Sequence, residues 1–162
     1  MESAQQFCTF FIDKQVFAVP VQQVQEVIRY QEMTRVPLVP DVIRGLINLR
    51  GQIVVAFDLR RRLGYPDRPK DQKPMNVVVR ADGETVSFLV DEIGDVIEVE
   101  ECAEQPPETL RADMREILQG VYKLKDYLLL VLDTERTVSG KALRQAVTQA
   151  GNRGFVGHRA HE

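Results

Sequence analysis

The chain has 162 residues, of which 44% are hydrophobic and 28% charged, a balance typical of a soluble globular protein of one domain or two small halves. Its 21 basic and 24 acidic residues give a formal net charge of −3, which argues against a nucleic-acid binder. Two cysteines, Cys8 and Cys102, are too few for a disulfide framework or a metal cage. The first residues lack the pattern of a secretion signal, so we expect a cytoplasmic protein.

Short apolar segments rich in Val, Ile, Leu and Phe, separated by turn residues, predict β-strands along most of the chain. The ten predicted strands are Phe7–Ile12, Val16–Val19, Val24–Arg29, Gly45–Leu49, Ile53–Asp58, Asn76–Arg80, Val86–Val90, Ile93–Glu98, Gly120–Leu124 and Tyr127–Asp133. Asp82-Gly83 carries the signal of a tight hairpin, and Asp13-Lys14 is expected to turn the first pair of strands in the same way.

Helical segments are few and short. Pro40–Ile43 and Pro107–Leu110 each place a proline and an acidic residue where a short helix would begin. Lys141–Ala150 has a helix-forming composition, so we expect a C-terminal helix there. From Gly151 onward the glycine-rich, polar sequence is typical of a frayed tail.

The most informative feature of the sequence is an internal repeat. Residues 42–63 align without gaps with residues 117–138, and upstream of these blocks residues 24–28 align with residues 93–97. The identical pairs in the longer block include Gly45 with Gly120, Leu49 with Leu124, Asp58 with Asp133, and Arg61 with Arg136. Two blocks in the same order, with matched glycines and aspartates, indicate a duplication.

Ten strands in two similar halves predict a mainly β fold built from two small five-stranded barrels, because a closed barrel leaves no exposed strand edge. Each half alone would be marginally stable, so we expect the halves to pack against each other across an apolar seam. A groove between them is then the natural place for a partner. Asp58 and Asp133 are expected to cap the turns that follow their strands.

No residue pattern points to catalysis, a metal or a cofactor. The sequence contains no GxxxxGK[ST], GxGxxG, HExxH or GxSxG. The only two histidines, His158 and His161, lie in the polar tail, where a general base would be neither buried nor oriented. Cys8 lies in an apolar strand and Cys102 among acidic residues, so neither is expected to be a nucleophile. We therefore expect a non-enzymatic protein.

The one dense basic run, Arg60-Arg61-Arg62, has two interpretations. It could form a patch for phosphate or an acidic partner, or it could be a solvated turn after a strand, and we favour the turn. Together with Arg44 and Arg50, this run supports an alternative function, a small-barrel protein that binds nucleic acid. Few aromatic residues lie near it, although stacking on single-stranded nucleic acid would require them.

The segment Val42–Val54 contains Asn48-Leu49-Arg50-Gly51, and in this respect the chain resembles the CheW family of bacterial chemotaxis adaptors. The resemblance spans roughly Gln5 to Leu143. Further matching segments follow in the family's order: Phe17–Val21, Val24–Ile28, Pro37, Pro40, Asp58–Arg60, Phe88–Asp91, Ile93–Ile97 and Leu130–Asp133. In the second copy of the repeat, Lys123-Leu124-Lys125-Asp126 replaces the signature, so only the first half carries it.

The resemblance implies two intertwined SH3-like β-barrels within one CheW-like domain over residues 5–143, followed by the end of a C-terminal helix and a flexible tail over residues 144–162. It also implies a non-catalytic adaptor that couples the cytoplasmic tips of chemoreceptors to a CheA-type histidine kinase. Such a protein would be cytoplasmic and recruited to receptor arrays at the inner membrane, without inserting into it.

Partner-binding residues are carried over by the resemblance, motif by motif. Arg50 matches an arginine associated with receptor and array coupling, and Asn48 and Gly51 belong to the same signature. Val24 and Glu26 match positions near the kinase-binding surface, whereas the segment Val90–Asp91 is linked to receptor contact. From the residues alone, we expect Gly45 and Gly51 to serve tight backbone geometry, and Asn48 and Arg50 to point away from the side that Leu49 occupies.

Overall fold

The computed structural model describes residues 4–138, and this part of the chain is dominated by ten β-strands. The strands are β1 Gln5–Ile12, β2 Gln15–Pro20, β3 Val24–Ile28, β4 Ile43–Leu49, β5 Gln52–Asp58, β6 Met75–Ala81, β7 Glu84–Val90, β8 Glu92–Val99, β9 Leu118–Lys123 and β10 Leu128–Leu132. The helices are α1 Leu59–Leu63, α2 Ala112–Ile117 and α3 Thr134–Val138, with a 3-10 helix at Val21–Gln23. All ten predicted strands are confirmed, with ends that differ by one or two residues.

The strands form two five-stranded sheets with the orders β8-β1-β2-β10-β9 and β3-β6-β7-β5-β4. Strands five positions apart in the chain occupy equivalent places in the two sheets: β8 corresponds to β3, β1 to β6, β2 to β7, β10 to β5, and β9 to β4. Each sheet thus takes two strands from one half of the chain and three from the other, which confirms the duplication and the intertwined arrangement. Within the described residues, backbone ladders do not join the two outer strands of either sheet, so neither barrel is closed by hydrogen bonds.

The long connections before β4 and β9 repeat one another as well. Thr34 forms an isolated antiparallel bridge with Leu46 in β4, and Glu104 forms the corresponding bridge with Val121 in β9. In both copies the connection therefore runs back along an outer strand and covers backbone groups that would otherwise form an exposed edge.

One hydrophobic core joins the two sheets. Phe10 and Phe17 enter it from the first sheet with stacked rings 6.4 Å apart, and Phe57 and Phe88 enter from the second with an edge-to-face contact of 6.5 Å. All four rings are fully buried. Because both halves contribute to the same core, neither half contains a complete core of its own.

The helices differ from their predicted positions. Pro40–Ile43 forms a turn, closed by a hydrogen bond from the Ile43 N–H to the Pro40 carbonyl, and the chain enters β4 directly. Pro107–Leu110 is likewise a turn, and α2 begins only at Ala112. These two helix predictions were wrong because a proline starts a type I turn as readily as a helix. The predicted helix at Lys141–Ala150 lies outside the described residues.

The two matched aspartates cap short helices, as their positions after the strands suggested. The Asp58 carboxylate accepts a hydrogen bond from the Arg60 N–H at 3.0 Å, and Asp133 accepts one from the Arg136 N–H at 3.0 Å. Helices α1 and α3 thus begin at equivalent points after β5 and β10. Over residues 4–138, no helix combines the length and the apolar character needed to cross a membrane.

Candidate functional site

The Asn48–Gly51 signature forms the tight turn between β4 and β5. Arg50 and Gly51 both adopt positive φ, 53° and 88°, which is the backbone that a two-residue hairpin requires. The Asn48 side-chain oxygen accepts a hydrogen bond from the Gly51 N–H at 2.8 Å and closes the turn. Asn48 and Arg50 are exposed, whereas Leu49 is buried, as the strand alternation predicted. The sequence motif therefore builds a rigid turn that presents Arg50.

Gly45 is required for a different reason, the close approach of another segment. A Cβ atom at this position would lie 2.6 Å from the Thr34 carbonyl oxygen, in the bridge that covers β4. The expectation of tight backbone geometry is thus confirmed for both glycines.

Arg50 forms a two-pronged ion pair with Glu26. Its Nη1 donates to Glu26 Oε1 at 3.1 Å, and its Nη2 donates to Oε2. Glu26 lies in β3, at the opposite edge of the sheet from β4, so the pair joins the turn to the far edge strand. The hydrogen bonds from Arg50 lower the pKa of Glu26, and those to Glu26 raise the pKa of Arg50. Both groups are consequently charged at neutral pH.

Four of the seven predicted partner-binding residues meet at this ion pair, and a fifth, Val24, lies two positions before Glu26 in β3 and packs against the main core. Arg50, Asn48 and Gly51 come from the turn, and Glu26 and the half-buried Val24 come from β3. Val27, which the sequence reasoning did not single out, adds a partly exposed apolar side chain on the same strand. We call this region, residues 24–27 and 48–51, the β3–turn surface.

Val90 and Asp91 lie apart from that surface and are buried, so the structure does not bring all seven residues together. Asp91 follows β7 and lines an open cleft of about 510 Å³ together with Gln72, Met75, Glu92 and Ile93. Met75 begins β6 of one sheet and Ile93 lies in β8 of the other. The cleft therefore lies between the two sheets, where the sequence predicted a groove.

The Asp91 carboxylate is held by hydrogen bonds from three residues. Arg60 donates to it from Nε at 3.0 Å and from Nη2 at 2.7 Å, Arg68 Nε donates at 3.1 Å, and the Asp13 N–H donates at 2.8 Å. Burial alone would raise the pKa of Asp91, but the hydrogen bonds from Arg60, Asp13 and Arg68 outweigh it and hold that pKa below its usual value. Asp91 thus positions neighbouring segments and presents little surface to a partner.

A second buried carboxylate extends this cluster. Asp58 is completely buried and accepts hydrogen bonds from Arg44 Nη1 at 2.9 Å and Arg68 Nη1 at 3.4 Å. Arg68 therefore bridges Asp58 and Asp91. Sequence reasoning missed this cluster because its ion pairs join residues 10 to 31 positions apart, and pairing at that distance leaves no local pattern. We call Arg44, Asp58, Arg60, Arg68 and Asp91 the buried ionic network.

The interpretation of Arg60-Arg61-Arg62 as a solvated turn was wrong. The three residues belong to α1, and Arg60 is buried against Asp91. Arg61 binds both oxygens of Asp67, and Arg62 Nε donates to the Thr137 carbonyl. Each guanidinium is thus used within the fold, because the helix turns all three towards carboxylates or carbonyls of neighbouring segments.

The nucleic-acid alternative required free cations at Arg44, Arg50 and Arg60–Arg62. Each of Arg44, Arg50, Arg60 and Arg61 forms an ion pair with a carboxylate that neutralises its charge. These four arginines therefore do not form a single basic face. Nothing observed supports that alternative.

The two cysteines differ in their exposure to solvent. Cys8 is buried, and burial raises the pKa of its thiol, whereas Cys102 is exposed. Among residues 4–138, no three His, Cys, Asp or Glu side chains are arranged to hold a metal ion. His158 and His161 lie outside the described residues.

Comparison with known proteins identifies the fold that carries these features. A family model described as a CheW-like domain matches residues 6–142. The chain belongs to the CheW family. It is 29% identical to the chemotaxis protein CheW of Bacillus subtilis over 91% of this chain and 95% of that protein. It is also 30% identical to CheW of Klebsiella aerogenes over 86% of this chain and 84% of that protein.

The solved structure of the scaffolding protein TtCheW from Thermoanaerobacter tengcongensis has the same fold. It matches this CheW-family chain with a TM-score of 0.77 and 24% identity, covering 86% of this chain and 96% of that one. The family assignment agrees with the sequence resemblance and with the two intertwined sheets.

Proposed function

We propose that this CheW-family protein is a non-catalytic adaptor that couples the cytoplasmic tips of chemoreceptors to a CheA-type histidine kinase. The observation that carries the proposal is the exposed Arg50–Glu26 pair, which fixes a charged, directional feature on the β3–turn surface. A protein whose recognition residues form a rigid surface, with no reacting group among them, is suited to binding partners.

The kinase is proposed to bind the β3–turn surface, because Val24 and Glu26 match positions near the family's kinase-binding surface and Arg50, which the resemblance links to receptor and array coupling, is paired with Glu26. Val27 supplies a partly exposed apolar side chain on β3, next in the chain to Glu26, and the Arg50–Glu26 pair supplies charged groups at the same strand. Interfaces of this kind combine an apolar centre with arginine anchors, and a few such residues carry most of the binding free energy. Asn48 and Gly51 contribute by holding the turn that positions Arg50.

The receptor is proposed to bind the cleft between the sheets, beside Val90 and Asp91. Because both residues are buried, their contribution is to fix the walls of the cleft. Met75 and Ile93, half-buried on opposite walls, offer apolar contacts to a helical receptor tip. With separate sites for its two partners, the protein can hold both at once, recruited from the cytoplasm to receptor arrays at the inner membrane.

The kinase site is tested by measuring binding to the regulatory domain of a CheA-type kinase. Arg50→Ala is expected to weaken binding about tenfold or more, because truncating an interface arginine removes an anchor. Arg80→Ala is the matched control, since Arg80 is an exposed arginine on β6 of the same sheet. Thermal unfolding of both variants should match that of the unsubstituted protein, because exposed ion pairs contribute little to folding.

Two results separate failure of the site from failure of the function. If the unsubstituted protein binds kinase and receptor but Arg50→Ala and Glu26→Ala bind equally well and support kinase activation, the site assignment is wrong. If the unsubstituted protein binds neither partner in co-purification, the proposed coupling function itself is wrong.

A further inference from the structure

A second cleft lies against the segment that connects α1 to β6. It has a volume of about 360 Å³ and is lined by Tyr30, Arg44, Arg68, Lys70 and Lys73, among others. This volume is in the range of small-molecule sites. The cleft contains no residue of the β3–turn surface, and none of its lining residues belongs to the cleft between the sheets except Gln72.

The lining carries an excess of positive charge. Lys70 is exposed and Lys73 lies over the ring of Tyr30, with its ammonium 4.7 Å from the ring centre. Within residues 4–138 neither lysine has a carboxylate within ion-pair distance. Asp67 is the only acidic residue in the lining, and both of its oxygens are bound by Arg61.

Arg68 adds a buried donor without an acceptor. Its side chain is only 4% exposed, with Nε bound to Asp91 and Nη1 bound to Asp58. Its Nη2 is the only buried side-chain nitrogen or oxygen in the described part of the chain that has no hydrogen-bond partner. Buried donors in native proteins are nearly always paired, so this atom requires an explanation.

We propose that this cleft binds a small organic phosphate, with its phosphate group between Lys70, Lys73 and the Arg68 guanidinium. A phosphate dianion has three terminal oxygens, which can accept from two ammonium groups and from a guanidinium N–H together. Met33 and Pro69 also line the cleft and offer apolar contact to the organic part. This binding goes beyond the proposed coupling function and requires neither the kinase nor the receptor.

The test is an NMR titration of the ¹⁵N-labelled full chain with ribose 5-phosphate, with ribose as the uncharged counterpart. We expect saturable shifts of the amides of Arg68 and residues 70–73 and of the Arg68 Nε–H with ribose 5-phosphate, and none with ribose. Lys70→Gln/Lys73→Gln should weaken binding about tenfold or more, because two charge-assisted contacts are removed. Both lysines are exposed, so the double variant should fold normally.

Lys123→Gln/Lys125→Gln is the matched control, because these exposed lysines lie at the end of β9 and in the turn that follows it. It should bind ribose 5-phosphate as the unsubstituted chain does. The proposal is overturned by the absence of saturable shifts, by shifts that spread over surface lysines, or by unchanged affinity in Lys70→Gln/Lys73→Gln. If succinate binds as tightly as ribose 5-phosphate, the site has no preference for phosphate over a carboxylate. If inorganic phosphate binds as tightly as ribose 5-phosphate, the organic part of the ligand makes no contribution, and that part of the proposal is wrong.

Discussion

Replacing Asp91 by asparagine tests whether the buried ionic network holds the two sheets together. Asp91 follows β7 of one sheet and binds the Asp13 N–H in the β1–β2 turn of the other, together with Arg60 and Arg68. An asparagine has one acceptor oxygen, and its amide would point N–H groups at guanidinium donors. Removing one partner from a buried ion pair costs about 3–5 kcal/mol, because the other charge stays buried and unpaired.

That loss is large against the total stability of a domain, about 5–15 kcal/mol. For a chain of this length it corresponds to a fall of roughly 6–20 °C in the thermal midpoint. Circular dichroism during heating measures the shift, and urea unfolding gives the free energy. Asp95→Asn is the matched control, because Asp95 is an exposed aspartate on β8, and its midpoint should stay close to that of the unsubstituted protein.

A double-mutant cycle with Arg60→Gln shows whether the loss comes from the ion pair. The loss of unfolding free energy in the double variant should be smaller than the sum of the losses in the two single variants, because the second substitution removes the charge left unpaired by the first. A loss below about 1 kcal/mol in Asp91→Asn, or strictly additive losses in the cycle, would contradict the reasoning, since these results are typical of an exposed pair.

Two further predictions concern the repeat and the pH dependence. Gly45→Ala should lower stability by about 1–3 kcal/mol in urea unfolding, because its Cβ would lie 2.6 Å from the Thr34 carbonyl oxygen, which lies in a bridge and cannot easily move. Gly120→Ala should cost less, since its nearest contact is the Cβ of Ala103 at 3.0 Å; equal losses would contradict the argument. The lowered pKa of Asp91 means that its stabilising effect is full at neutral pH and is lost as the pH falls through that pKa, below about 4. Acid unfolding curves should therefore be less steep in Asp91→Asn, and identical curves would show that Asp91 does not titrate there.

The strands could be predicted because each one is a local pattern. Segments such as Ile53–Asp58 and Val86–Val90 are mostly apolar runs between turn residues, and such runs predict buried strands. The repeat added the long-range information, since aligned blocks must have equivalent neighbours. The short helices were harder, because Pro40 and Pro107 allow a turn and a helix equally well from sequence.

In the candidate site, too, local features could be predicted from sequence and long-range contacts could not. The Asn48–Gly51 turn is contiguous, so its geometry follows from the residues in it. The partners of Arg50 and Arg60, Glu26 and Asp91, are 24 and 31 residues away, and only the folded sheets bring them together. Arg60 was interpreted as part of a solvated turn because it lies in a basic run. In the fold it is buried, because its guanidinium pairs with the carboxylate of Asp91.

The duplicated fold makes the difference between its two copies informative. By the alignment, Lys125 and Asp95 in the second copy correspond to Arg50 and Glu26 in the first, yet within the described residues no ion pair joins them. The backbone is therefore nearly symmetric while the surfaces are not. Specificity is a difference of affinities, and a surface that the repeat does not duplicate gives its partner one site on the chain. This asymmetry supports the proposed adaptor, because the kinase would bind the β3–turn surface alone and leave the cleft between the sheets to the receptor.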